Sequence, residues 1–326
     1  MWKFALANFK IKVSRFEQTS PSQYLCTASG KGYAFSLSNS AYFLSTCGKI
    51  NKISKKAAKS GFFVDIFLRE IYNKNRGDSM RILSIGNSFS HDATRYLEKI
   101  AYADRKTVRS VVLYIPGCTL ERHYMNMVAD ADDYDLIFNG EFTGFKMSLR
   151  QALRTYRNGE WDVITFQQAS HESPYYEKYQ PFLNELLAYV KKFAPSAKQV
   201  IHQTWAYEQG SEKLTDMLGY TDQADMFKDV KNTYAKAADD IDAKIIPSGE
   251  LFQKLLKNGF EKVHRDTFHA SLGAGRYALA ALWYETLMGG DIMNNTFCDF
   301  EEEISKGEIE IIKKCVREAA EEYGWK

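Results

Sequence analysis

The sequence predicts an α/β chain, a three-layer α/β/α sandwich around a five-stranded parallel, flavodoxin-like sheet. Two observations carry that expectation. From Met80 onward, short β-branched or aromatic runs alternate with longer amphipathic stretches, the rhythm of repeated βα units. Runs such as DVITF are apolar almost without interruption, as strands covered on both faces require.

In chain order, the short apolar runs place strands at 81–85, 108–114, 162–166, 199–204 and 243–246. Amphipathic periodicity places helices near 92–104, 119–130, 147–157, 176–193, 222–240, 249–258, 271–288 and 303–323. Residues 1–79 show no comparable rhythm apart from GFFVDIFLREIY, so the expected division is a basic, poorly organised extension over 1–79 and a catalytic-type domain over 80–326. Met80 is the expected natural start, with a small divergent N-terminal domain as the alternative.

At 326 residues and 45% hydrophobic, the chain can bury a substantial core. Its formal charge of +2 conceals an asymmetry: residues 1–79 hold 13 Lys and Arg against 4 Asp and Glu, and the remainder holds 30 against 37. The basic charges are scattered, and NKISKKAAKS has no interleaved aromatics, so nucleic acid is not an expected partner. Lys3, Lys10, Lys12 and Arg15 interrupt what would be the apolar core of an export signal, and no run reaches the ~18 apolar residues of a membrane span. Five widely spaced cysteines without a CxxC pair indicate neither a disulfide framework nor a zinc site. The expectation is a cytoplasmic protein with no membrane partner and no metal or organic cofactor.

Ligands of a parallel sheet bind beyond the carboxyl ends of its strands, so the residues there carry the functional question. After the first strand comes Gly86-Asn87-Ser88, then a helix. A glycine permits a sharp turn, and a serine opening the helix lies beside N–H groups that favour developing negative charge. The same residues also suit an ordinary helix cap. Neither GxGxxG nor GxxxxGK[ST] is present, which disfavours a nucleotide loop.

The second strand ends at Pro116-Gly117, a turn whose N–H could face an oxyanion. The third ends at Gln167-Gln168, whose carboxamides can donate to one, with His171 nearby. Trp205 and Tyr207 follow the fourth strand, and together with Tyr175 and Tyr176 they suggest a rim for a sugar or acyl group. Beyond the fifth strand, Asp266 and His269 sit three apart before an amphipathic helix, a spacing that lets a carboxylate orient an imidazole.

The segments ILSIGNSFSHDATRYL, GCTLERH, WDVITFQQASH, QTWAYE and RDTFHASLGAGRYALAALWYETL together resemble the SGNH (GDSL-like) hydrolase superfamily. Within it, they are most similar to a branch known chiefly as a domain of unknown function, over residues 80 to 290. The resemblance implies Ser88 as nucleophile, His269 as base, Asp266 as its orienting acid, and the N–H groups of Ser88 and Gly117 as an oxyanion hole. Where the superfamily has an asparagine in a G-x-N-D run, this chain has Gln167-Gln168-Ala169-Ser170. Gln167 is the first choice for the third donor and Gln168 the second.

The implied activity is hydrolysis of small acyl esters, O-acetyl groups on a carbohydrate first among them, with Asn87, His171, Trp205 and Tyr207 around the substrate. The alternatives are a lipase or thioesterase with longer acyl preference and a non-catalytic glycan-binding domain.

Overall fold

The computed structural model describes residues 17–20, 23–28, 31–36, 79–155 and 160–326. The chain divides into two units, Met1–Ile66 and Phe67–Lys326. In the first, β1 (Glu17–Ser20), β2 (Gln23–Ala28) and β3 (Lys31–Ser36) form an antiparallel sheet in the order β1-β2-β3. The sequence expectation for the rest of residues 1–78, including GFFVDIFLREIY, lies outside the described residues.

The second unit is built on a seven-stranded sheet. Its strands are β4 (Ser79–Gly86), β5 (Thr107–Tyr114), β6 (Tyr134–Phe138), β7 (Glu141–Met147), β8 (Val163–Phe166), β9 (Lys198–His202) and β10 (Lys244–Ile246), in the order β10-β9-β8-β4-β5-β6-β7. The five strands read from the sequence are parallel and run in the flavodoxin-like order. Every residue of β8 is buried, as its unbroken apolar run requires.

The sheet has two strands more than expected. β6 and β7 pair antiparallel at the β5 edge, joined through Asn139 and Gly140. Both have positive φ (+47° and +79°), the combination a two-residue hairpin turn requires. β7 alternates exposed and half-buried residues, so it lacks the apolar density of the central strands.

The helices are α1 (Ser88–Thr94), α2 (Leu97–Ala103), α3 (Leu120–Ala129), α4 (Leu149–Leu153), α5 (Phe182–Phe193), α6 (Gln223–Ile241), α7 (Ser248–Lys257), α8 (Ala274–Leu287) and α9 (Lys306–Glu322). α8 packs against α1, α2, α7 and α9, and α3 packs against α4 and α5, giving a helix layer on each face of the sheet. Among the described residues, no helix is long and apolar enough to cross a membrane.

The single helix expected over 92–104 is two helices, starting earlier and breaking at Arg95-Tyr96. Tertiary anchors hold the break open. The Tyr96 hydroxyl donates to Leu272 O (2.6 Å) and accepts from Glu301 N (2.8 Å), while Arg95 donates to Gly140 O (3.0 Å) and to Glu301. Thr94 also turns its hydroxyl back onto Ser90 O (2.9 Å), a bond that bends helices.

Candidate active site

β4 and β8 are neighbours at the point where the chain reverses its direction of travel across the sheet, so a crevice opens beyond their carboxyl ends. At the end of β4, a Cβ on Gly86 would stand 2.1 Å from Ser90 Oγ, so only glycine lets the chain turn this tightly into α1. Asn87 caps α1 by accepting from Phe89 N (3.0 Å). Its Nδ2 donates to Cys118 O (3.2 Å), tying the end of β4 to the turn after β5. Ser88 is the first helical residue, and its N–H has no acceptor within the helix.

The last loop meets this serine. His269 Nε2 lies 2.8 Å from Ser88 Oγ, and His269 Nδ1 lies 2.8 Å from Asp266 Oδ2. Asp266 Oδ1 also accepts from the His269 backbone N–H (2.9 Å). Partial burial pushes the Asp266 carboxyl upward, but the bonds from His269 outweigh it and hold the group below its ordinary value. The residue after Asp266, Thr267, has φ +73°, an outlier for a β-branched side chain. That strained conformation folds the loop back on itself, and Thr267 O is held by Glu208 N (2.7 Å).

The loop is fastened to α1 by a second carboxylate. Asp92 is wholly buried, accepts from Arg265 Nη1 with both oxygens (3.0 Å each), and also accepts from Arg276 Nε (2.9 Å) and Ala270 N (3.1 Å). Arg276 in turn pairs with Glu301, which pairs with Arg95 (2.5 Å). Thus the helix that carries Ser88 and the loop that carries His269 share one buried anion. Sequence reasoning assigned Asp92 no role; its position four residues after Ser88, on the same helix face, was the available signal.

Trp205 corrects the sequence expectation. It is wholly buried, stacked on Phe89 (centroids 3.9 Å apart, planes 9° apart), and donates from Nε1 to Phe268 O (2.8 Å). It supports the histidine loop from beneath and does not line the cleft. Tyr176 likewise lies off the rim, bonded to Asp240. The two glutamines separate as well. Gln168 accepts from Leu120 N (2.9 Å) and Ala169 N (2.8 Å) and donates to Lys178 O (2.8 Å), so its carboxamide is committed to the fold. Gln167 accepts from Ser90 Oγ (2.6 Å), and its Nε2 is buried with no partner among the described residues.

The cleft above Ser88 is about 390 Å³. Its lining includes Asn87, Ser88, Tyr114, Gly117, His171 and His269, together with Tyr207, Lys213 and Phe268, of which Tyr207 and Lys213 both contact the Phe268 ring. Gly117 has φ +58°, the left-handed turn expected of Pro-Gly. Tyr207 is nearly buried and shares a hydrogen bond with Ser170 Oγ (2.9 Å). Of the expected substrate-binding residues, Asn87, His171 and Tyr207 are in this lining and Trp205 is not.

Residues 81–319 match the family described as Domain of unknown function (DUF4886). The chain belongs to this family. A DUF4886 protein from Bacteroides uniformis, known from its crystal structure, is 30% identical, with a TM-score of 0.68, over 76% of this chain and 97% of that one. The DUF4886 match agrees with the branch that the motifs resemble. A protein from Slackia heliotrinireducens described as a candidate SGNH hydrolase is 25% identical over 64% of this chain and 99% of that one, with a TM-score of 0.47. An acetylxylan esterase variant from Geobacillus stearothermophilus is 15% identical over 65% of this chain and 95% of that one, with a TM-score of 0.42. Comparison with curated proteins gave no match.

Proposed function

We propose that this DUF4886 chain is a serine esterase that hydrolyses small acyl esters, acetyl groups on a carbohydrate hydroxyl above all. The observation that carries the reading is the unbroken line from Ser88 Oγ to His269 Nε2 and from His269 Nδ1 to Asp266, two 2.8 Å contacts at the carboxyl edge of the sheet.

In this reading, Ser88 Oγ attacks the ester carbonyl carbon as its proton passes to His269 Nε2. The carbonyl oxygen becomes an oxyanion facing the N–H groups of Ser88 and Gly117, with Gln167, wholly buried behind the cleft lining and with its Nε2 unpartnered among the described residues, as the third donor. The C–O bond to the alcohol then breaks, and the alkoxide leaves with the proton from His269. Water, deprotonated by the same nitrogen, attacks the acyl-serine and releases the carboxylic acid. Asp266, held ionised, fixes the imidazole tautomer and offsets the charge of the imidazolium.

A cleft of 390 Å³ is near the small end of the ~300–1,000 Å³ range of small-molecule sites, which favours an acetyl group over a long acyl chain. Tyr114 and Phe268, both half-buried, bring aromatic surface to the cleft that suits a sugar.

The test is an ester panel, from acetylated xylan and 4-nitrophenyl acetate to 4-nitrophenyl palmitate, run on the parent protein and Ser88→Ala. The expected result is turnover of the acetyl esters that falls at least ~10³-fold in Ser88→Ala, with covalent labelling of Ser88 by a fluorophosphonate. Equal rates in the two proteins would remove Ser88 as nucleophile. Inertness toward every ester and probe, with retained glycan binding, would make the protein a binding domain.

A further inference from the structure

We infer that Lys213 selects esters whose alcohol portion carries a carboxylate, such as O-acetylated uronic acids or hydroxy acids. This rests on the esterase reading above and names the substrate class of that same site.

The first observation is the charge of the cleft. Its lining contains a lysine and no Asp or Glu side chain. Lys213 makes no ion pair among the described residues, and its ammonium instead lies over the Phe268 ring, 4.4 Å from the centroid. A cation left without a counterion at the mouth of a cleft attracts an anion that enters it.

The second observation is which side of the cleft Lys213 occupies. Phe268 lies directly beside the imidazole, with the Phe268 and His269 ring centroids 3.9 Å apart. Lys213, Phe268 and His269 therefore form one wall. In ester hydrolysis, His269 delivers its proton to the departing alkoxide, so the alcohol must lie against that wall. Tyr114, Pro116 and Gly117 also line the cleft, and none of them has a ring or cation contact with Lys213, Phe268 or His269 among the described residues; in the esterase reading the acyl carbonyl faces the Gly117 N–H. The charge on Lys213 thus meets the leaving alcohol and not the acyl group.

The third observation is that the ammonium is placed by the fold. Lys213 opens a short π-helical turn, Lys213–Met217. The next residue, Leu214, is wholly buried and donates its N–H to Ser211 O (2.9 Å), and Tyr220 N closes the turn on Leu214 O (3.0 Å). Phe268 is held in turn by its carbonyl on Trp205 Nε1.

The experiment compares 4-acetoxybenzoate with its methyl ester, which share the acetyl group and differ in a charge on the alcohol side. The readout is the ratio of kcat/KM for the charged ester to that for the neutral one, so intrinsic leaving-group differences cancel between variants. The ratio is expected to fall about fivefold in Lys213→Met, the size of one partly screened ion contact. It should fall further in Lys213→Glu and be retained in Lys213→Arg. Raising the salt concentration should lower the ratio in the parent and leave it unmoved in Lys213→Met. A ratio equal within twofold in the parent, Lys213→Met and Lys213→Glu would overturn the inference while leaving the esterase reading intact. If no ester is hydrolysed, titration of 4-hydroxybenzoate against the parent and Lys213→Met still decides it. Tighter binding by the parent supports anion selection, and equal binding overturns it.

Discussion

Asp92 provides the sharpest test of how this site is held together. Replacing it with asparagine keeps the shape and removes the charge. The carboxylate is wholly buried and serves Arg265, Arg276 and Ala270 N at 2.9–3.1 Å. Arg276 is itself buried, so Asp92→Asn strands a guanidinium away from water with only Glu301 left to it. Breaking one partner of a buried ion pair costs about 3–5 kcal/mol, and the partial exposure of Arg265 puts this case near ~3. In a domain of this size, that is about a 10 °C fall in melting temperature. The loop should also drift from Ser88, and a misplacement of ~1 Å costs up to about 10²-fold in rate. The assay is 4-nitrophenyl acetate turnover well below the variant's melting temperature, alongside urea denaturation. The expected kcat is about 10- to 100-fold below the parent, with a smaller change in KM. In a His269→Ala background, Asp92→Asn should cost almost nothing more, because the group it positions is gone. Parent-like kcat in the folded variant, or losses that simply multiply, would refute the positioning role.

Two further predictions follow from the same geometry. Gln167→Leu should lower turnover by about 10²- to 10³-fold with a stability change near ~1 kcal/mol, whereas Gln168→Leu should cost about 2–4 kcal/mol of stability, because it strands Leu120 N, Ala169 N and Lys178 O; kinetics and urea melts on both variants check this, and the reverse split would move the oxyanion donor to Gln168. Burial pushes His123 and His202 down to about 3 and His264 down to about 4, so below their unfolded value near 6.5 each gains a proton only on unfolding. The stability they allow is complete above pH ~6.5 and falls as pH drops toward 4, by up to about 4 kcal/mol per pH unit for the three together; urea melts that do not change from pH 7 to 5 would contradict this.

The five parallel strands were legible because each carries a short apolar run, buried throughout in β8 and over the carboxyl-terminal half of β4 and β9. The β6–β7 hairpin was missed because an edge strand carries a weaker pattern, although the Asn139-Gly140 pair was a direct turn signal. The hairpin also bears on the site: Gly140 O holds His91 Nε2 (3.1 Å) and Arg95, at the break between α1 and α2. The aromatic rim was misjudged at Trp205 for a related reason. A tryptophan after a strand reads the same whether it faces the cleft or lies beneath it, and here the stack with Phe89 decides.

By itself, the sequence determined the residue types at the strand ends. A glycine turn leads into Ser88, a Pro-Gly turn follows β5, and Asp266 and His269 stand three apart; the glycines answer to local backbone geometry, and the Asp-His spacing is a property of the chain wherever its partners lie. Only the tertiary structure decided which of them meet. The contact between Ser88 and His269 spans 181 residues, and the Asp92 bonds to Arg265 and Arg276 span 173 and 184. The same packing commits Gln168 to the fold and leaves Gln167 Nε2 without a partner among the described residues, a distinction between identical neighbours that local pattern does not carry. Contacts across such distances are set by how the helix layers close over the sheet, and the buried Asp92 is where that closure brings the nucleophile's helix and the histidine's loop together.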